Sequence, residues 1–280
     1  MKFCLYGNST LDYIVTSNST RILHGGGVYY SAIPITQRGL DLEVYTVLSP
    51  SLINHPVVKY AVKSQYSTRT NIFILEYTGS SRVLRVLEVA PPIYQWNTHS
   101  ELCYTIVNPV MGEVDISLLK LLRAKSLLIA VDIQGFIRAV NSNGLVFLKS
   151  SSEAISVLEL ADIVHADTEE ATCLARCIGD NLPVERALSK LSKYSRGVLL
   201  VTSGSNKITV VHRGEVRIVE VEDKYRAVEK TGAGDYFLTE YFINYITSND
   251  IVESVHRAHK EVTKWLIIRD KVLHHAPTTQ

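Results

Sequence analysis

Apolar and polar positions follow two rhythms along this chain, and the change between them divides it. The first part is dominated by short β-like runs. Residues 2–7, KFCLYG, form a brief apolar run ended by a glycine, the size of a buried strand. Residues 28–39, VYYSAIPITQRG, predict a helix closed by Gly39, and LDLEVYTVL after them predicts a second strand. Residues 70–89, TNIFILEYTGSSRVLRVLEV, read as a hairpin, two β-branched arms around Thr78-Gly79-Ser80-Ser81. Its second arm mixes Val83, Val86 and Val89 with Arg82, Arg85 and Glu88, so one face is expected to meet solvent.

From about Leu102 strands alternate with helices. CYTIVNPV, SLLIAVDI, ADIVHAD and GVLLVTSG predict strands. DISLLKLLRA, opened by a capping Asp, TEEATCLARCIG, ending at Gly179, and VERALSKLSKYS predict the helices between them. This alternation predicts an α/β fold: a doubly wound, mainly parallel sheet with helices on both faces. The early hairpin stands outside the rhythm. It predicts a small β lid, from about residues 10–30 and 70–90, on a single domain spanning 1–280.

Composition excludes more than it selects. An apolar fraction of 46% in 280 residues is enough for a large core. Lys and Arg number 29 against 28 Asp and Glu, so the net charge is +1 and no nucleic-acid footprint is expected. The amino terminus turns polar too soon for a signal peptide, and no apolar run reaches the roughly 20 residues a membrane span needs. A cytoplasmic protein is expected. Cys4 and Cys103 are far apart, Cys173 and Cys177 sit four apart in a helix, and neither disulfide nor metal use is expected of them. His256 and His259 share a helix face without a third ligand, so no metal site is expected there either.

The candidate chemistry lies in Thr231-Gly232-Ala233-Gly234-Asp235, directly before YFLTEYFINYI, where Phe237, Tyr241 and Tyr245 recur at helical spacing. The glycines therefore open a helix, whose free N–H groups and dipole favour an anion. Asp235 would repel a phosphate there, unless its carboxylate must meet a hydroxyl that attacks the phosphate, as a general base. The plain alternative is a capped helix start. No P-loop, no G-x-G-x-x-G after the first strand and no G-x-S-x-G elbow is present.

Thr-Gly-Ala-Gly-Asp resembles the D-T-x-G-A-G-D signature of the ribokinase-like (PfkB-type) carbohydrate kinases, although Glu229-Lys230 replaces its leading part. Other landmarks of that family follow in order. Asp12 lies in GNSTLDYIV, and Gly25, Gly26 and Gly27 in HGGGVYYSA. Asp132, Gln134 and Arg138 lie in VDIQGFIR, Asp167 and Glu170 in HADTEEA, and Val201, Thr202 and Gly204 in LLVTSGS. Within the family, HGGGVYYSA, GSSRVLRVLEVAPPI and VDIQGFIR most resemble the myo-inositol 3-kinase branch.

The resemblance implies an ATP- and Mg²⁺-dependent kinase acting on a small polyol hydroxyl. Asp235 would be the base, with the N–H groups of Gly232, Ala233 and Gly234 stabilising the transferring phosphoryl. Asp12, Gly26, Gly27, Tyr30, Gln134 and Arg138 would hold the acceptor, Tyr30 offering its ring to the face of a cyclitol. Thr202, Gly204 and Thr231, with Gly232 and Gly234, would border the nucleotide. Glu170 would organise Mg²⁺ through water. A homodimer through the lid is a further implication. Plainer readings stand beside these: Asp12 as a turn residue, Arg138 as a surface ion pair, and Asp167 with Glu170 as a helix capping box. The alternatives in function are a kinase of ribose, fructose or adenosine, or a non-catalytic binder on the same fold.

Overall fold

In the computed structural model the strand-length apolar runs assemble into one sheet, and the residues described are 1–275 except 18, 63, 79–80, 179–183, 205–206, 223–224, 226 and 228. The chain opens with β1 (Lys2–Tyr6), leaves the central layer through β2 (Thr10–Val15) and β3 (Thr20–Gly25), and returns by α1 (Gly27–Gln37) to β4 (Asp41–Tyr45). A short pair, β5 (Val47–Leu48) and β6 (Gln65–Tyr66), precedes the hairpin β7 (Asn71–Thr78) and β8 (Ser81–Glu88). The alternating part follows as β9 (Cys103–Val107), α2 (Ile116–Lys125), β10 (Ser126–Asp132) and the single turn α3 (Gln134–Ile137). A small hairpin, β11 (Arg138–Val140) and β12 (Val146–Leu148), leads to α4 (Ser152–Leu160), β13 (Ile163–Asp167), α5 (Thr168–Arg176) and α6 (Val184–Leu191). The chain closes with β14 (Val198–Thr202), β15 (Lys207–His212), β16 (Glu215–Glu220), α7 (Ala233–Ser248) and α8 (Ile251–His275).

The main sheet has eight strands in the order β16-β15-β14-β13-β10-β9-β1-β4. From β4 to β14 every pairing is parallel, and β15 and β16 add an antiparallel edge. Both faces are covered, as an all-parallel region requires. Successive β1 residues divide between them: Cys4 and Tyr6 enter the core beneath α2, α4, α5 and α6, while Phe3 and Leu5 enter the core beneath α1, α7 and α8. The Asp cap expected at the start of α2 is present, Asp115 accepting from the Leu118 N–H at 2.7 Å. Chain order reverses at β1, with β4 laid on one side and β9 on the other, which opens a crevice beyond the carboxyl ends of these strands.

A second sheet, in the order β3-β2-β7-β8, stands off the main one as the lid. Its inward residues Ile14, Phe73, Leu75 and Val86 pack with Val110, which follows β9. Gly27 to Tyr30 belong to α1 and not to this sheet. The hairpin turn at Gly79-Ser80 and the helix end expected at Gly179 lie outside the described residues.

One cysteine expectation is corrected. Cys4 and Cys103 form a disulfide, with Cα atoms 6.2 Å apart, because β1 and β9 are adjacent parallel strands. Their separation of 99 residues hides a proximity that only sheet pairing creates. No described helix is long and apolar enough to cross a membrane.

Candidate active site

The carboxyl ends of β9, β10, β13 and β14, the start of α7 and the inner face of the lid enclose one cavity of about 480 Å³. Every residue given a site role from the sequence is on its wall. Asp12, Gly26, Gly27 and Tyr30 form one side, Gln134, Arg138 and Glu170 another, and Thr202, Gly204 and Thr231 to Asp235 the rest.

Asp235 sits in the first turn of α7, almost fully buried. Two side-chain amides hold its Oδ1: Asn108 Nδ2 donates at 2.9 Å and Gln134 Nε2 at 3.3 Å. Asn108 comes from the end of β9 and also donates to Ser31 Oγ on α1 at 2.6 Å. The carboxylate is thus oriented by three elements. Burial and then the charge of Asp132 push it up to about 7, while His165, Arg138 and the Asn108 hydrogen bond pull it down. A carboxyl poised there is suited to taking a proton at neutral pH.

Gly232 occupies the left-handed cap position of α7, with φ of +80°. A Cβ there would fall 2.1 Å from the Tyr30 ring, so ring and bare backbone are fitted to each other. Tyr30 also meets Trp265 of α8 edge-on. Its ring supports the loop at least as much as it faces the cavity. The Ala233 N–H departs from its expected use: the loop closes as a turn in which it donates to the Lys230 carbonyl at 3.0 Å. Gly232 and Gly234 are then the glycine amides at the helix mouth without a backbone partner among the described residues.

Asp12 is an inward position of β2, not a turn residue, and accepts from Thr10 Oγ1 at 2.7 Å. Burial above all pushes its carboxyl up to about 6. Arg138 is half-buried and donates to the Val110 carbonyl at 3.2 Å. Asp167 and Glu170 do form the capping box of α5, each side chain accepting the other's N–H at 2.8 Å. Glu170 still lines the cavity. Burial, then Asp132 and Asp167, push its carboxyl up to about 8.

Several residues at or beside the cavity give no motif in the sequence. Asn108 is one, signalled only by its place at a strand end. His165 is another, bonded through Nδ1 to Asp132 Oδ2 at 2.8 Å and through Nε2 to Thr202 Oγ1 at 3.1 Å. Arg269 of α8 is a third: it pairs with Glu229 at 2.9 Å, donates to the Thr231 and Glu229 carbonyls, and lies over Trp265. It ties the last helix to the glycine loop that opens α7.

No family profile matches the chain, and no curated protein matches its sequence. Solved structures do. A pyrophosphate-dependent kinase in the ribokinase family, in complex with sulfate, superposes with a TM-score of 0.82 at 19% identity, covering 98% of this chain and 100% of that one. The fold is ribokinase-like. A pyrophosphate-dependent kinase of that family, complexed with a pyrophosphate analogue and myo-inositol, gives 0.80 at 19% identity over 93% and 94% of the chains. A pyrophosphate-dependent myo-inositol-1 kinase converted into a myo-inositol-3 kinase by two leucine substitutions gives 0.77 at 20% identity, over 93% and 91%. At these identities the likeness concerns the ribokinase-like fold, and the reaction has to be argued from the site.

Proposed function

We propose that this protein is a phosphotransferase that moves a phosphoryl group onto a hydroxyl of a cyclitol, myo-inositol. The observation that carries the reading is Asp235: a buried carboxyl with its pKa near 7, held by Asn108 and Gln134, beside glycine amides at a helix mouth. A hydroxyl between Asp12 and Asp235 loses its proton to Asp235 as it attacks the donor's terminal phosphorus. The bond from that phosphorus to the rest of the donor breaks and the remaining phosphate leaves, and the helix mouth receives the charge of the transferring phosphoryl. A non-catalytic binder has no use for such a base.

The acceptor side supports a cyclitol. Asp12, Gln134 and Arg138 offer polar contacts, while Phe73, Leu75 and Leu84 of the lid present an apolar surface to ring C–H groups. Leu75 and Leu84 lie directly opposite each other across β7 and β8. A hydroxyl turned against that pair loses its hydrogen bonds, so the ring is held in one orientation. In one neighbour, leucine substitutions turn a myo-inositol-1 kinase into a 3-kinase, so an apolar pair on the acceptor wall is in keeping with the 3-hydroxyl as the one phosphorylated.

For the donor, inorganic pyrophosphate is favoured over ATP. Among the described residues, the donor side is lined by Thr168, Glu169, Thr202, Ser203, Gly204 and Lys230, with no apolar slot for a purine. The neighbours above are pyrophosphate-dependent. ATP is the second reading. Mg²⁺ fits by charge: burial first, and then Asp132 and Asp167, push the Glu170 carboxyl up to about 8, and a cation relieves the negative charge those neighbours add. Glu170 would hold it through water, and Mg²⁺ would neutralise donor phosphate charge.

The test is a turnover screen of inositols, sugars and nucleosides against pyrophosphate and ATP with Mg²⁺, read by ³¹P NMR. Myo-inositol phosphate formed from pyrophosphate is expected. Better turnover of ribose or adenosine would overturn the acceptor, and turnover with ATP alone would overturn the donor.

A further inference from the structure

Between the base and the donor side lies a chain of side chains whose linkage the reaction above does not use. His165 is an inner residue of β13 and only 3% exposed. Its Nδ1 meets Asp132 Oδ2 at the end of β10, and its Nε2 meets Thr202 Oγ1 at the end of β14. The three residues therefore span adjacent strands and end on the donor wall of the cavity. Asp132 is itself fixed, because its Oδ1 accepts from the Gln134 N–H at 2.9 Å. Above the imidazole sits the glycine loop: a Cβ on Gly234 would fall 2.9 Å from His165 Cε1. The ring packs directly against bare backbone, and the Phe237 ring closes another side at 5.9 Å.

We propose that His165 is a positioning residue of the donor site, holding the Thr202 hydroxyl in the one orientation that presents its proton to a donor phosphate oxygen. The proposal rests on the phosphotransferase reading of this cavity. Asp132 Oδ2 accepts a hydrogen bond from Nδ1–H, which leaves Nε2 as the contact to Thr202. Burial opposes a charge on this ring, but the Asp132 hydrogen bond and the charges of Asp132, Glu170 and Asp235 outweigh it and raise its pKa, which favours the form with a proton on both ring nitrogens. In that form Nε2–H donates to Thr202 Oγ1 across the 3.1 Å contact. A hydroxyl that accepts from a fixed donor must give its own proton elsewhere, and Thr202 faces the cavity. Phosphate oxygens accept only, so the arrangement selects them and disfavours a ligand group that needs an acceptor.

A satisfied core histidine predicts something different: stability loss on substitution and no link to the donor. The two are separated by a double-mutant cycle. Thr202→Val keeps the shape of the side chain, removes the hydroxyl and leaves the Asp132–His165 pair intact. His165→Gln removes the imidazole. Donor affinity is read directly by calorimetry with pyrophosphate and with ATP, and donor KM, acceptor KM and kcat are read alongside. Each single variant is expected to weaken donor binding about tenfold or more, as for a lost hydrogen bond to a charged group. Acceptor KM should stay as in the wild type, the double variant should be no weaker than the worse single, and Thr202→Ser should restore binding. Wild-type donor affinity in Thr202→Val overturns the proposal without requiring any His165 variant to fold, and so do single losses that multiply in the double variant. A wild-type chain that turns over normally while either result is found leaves phosphotransfer standing. One that binds neither donor overturns both readings.

Discussion

Asp235 carries two obligations that a single substitution separates. As the third residue of α7 it could serve as a helix-end carboxylate, and as the acceptor of amide protons from Asn108 and Gln134 it is oriented toward the cavity. Asp235→Asn keeps the size and removes the ability to take a proton. General-base catalysis is worth roughly 10²–10⁴-fold, so kcat should fall by about that much, with donor affinity near wild type. An end-of-helix role predicts near-normal turnover, since Asn serves such positions as well as Asp. The pH dependence gives an independent reading. The base works ionised, and its pKa is pushed up to about 7, so kcat/KM should fall as pH drops through about 7. A flat profile between pH 6 and 8 would remove Asp235 from the proton transfer.

At the scale of elements, the lid hairpin and the parallel sheet were legible because their periods differ. Runs such as SLLIAVDI and GVLLVTSG, apolar on both faces and of strand length, read as buried strands, and they became β10 and β14. LDLEVYTVL was read as one strand but splits into β4 and β5, since Val47 leaves the main sheet to pair with Gln65. What stayed hidden depends on contacts between elements. Arg269 is one charged residue in the long helix α8, and nothing in IIRD announces that it grips the carbonyls of the glycine loop. Asn108, just past the end of β9, and His165, in the middle of β13, are single polar residues defined by partners more than 30 residues away. Leu75 and Leu84 read only as strand formers until the lid is folded over the cavity. The lid now carries its own prediction. Leu75→Asn with Leu84→Ser should move phosphorylation from the 3- toward the 1-hydroxyl of myo-inositol, changing the product ratio about tenfold or more, the scale of one apolar contact in a pocket. These hydroxyls are related by the mirror plane of the ring, so the products are enantiomers and chiral separation is the measurement. An unchanged ratio in a folded variant would mean the lid closes the site without choosing the hydroxyl.

For the whole molecule, the site is a store of carboxyls held out of water, and that has a cost visible in stability. Asp12, Asp235 and Glu170 have pKa values raised to about 6, about 7 and about 8, each by burial first. In the unfolded chain such groups ionise near pH 4, so their contribution is full below about 4 and is lost as pH rises through their folded values. His165 acts in the same direction: its raised pKa gives stability below about 6.5 that disappears at higher pH. His55, beneath the glycine turn, opposes them. Burial and His24 lower its pKa to about 4, so its contribution is present above about 6.5 and lost toward acid. Above pH 6.5 His55 no longer changes, and only the falling terms act. The unliganded protein should therefore melt at a lower temperature at pH 8.5 than at pH 6.5. Asp235→Asn and Glu170→Gln, which cannot ionise, should each flatten that slope and melt higher than wild type at pH 8.5. Thermal melts of the three proteins across this window are the measurement. A wild-type melting temperature that rises with pH, or variants with the wild-type slope, would show that these carboxyls are ionised in the folded state and that the cavity relieves their charge in the absence of any ligand.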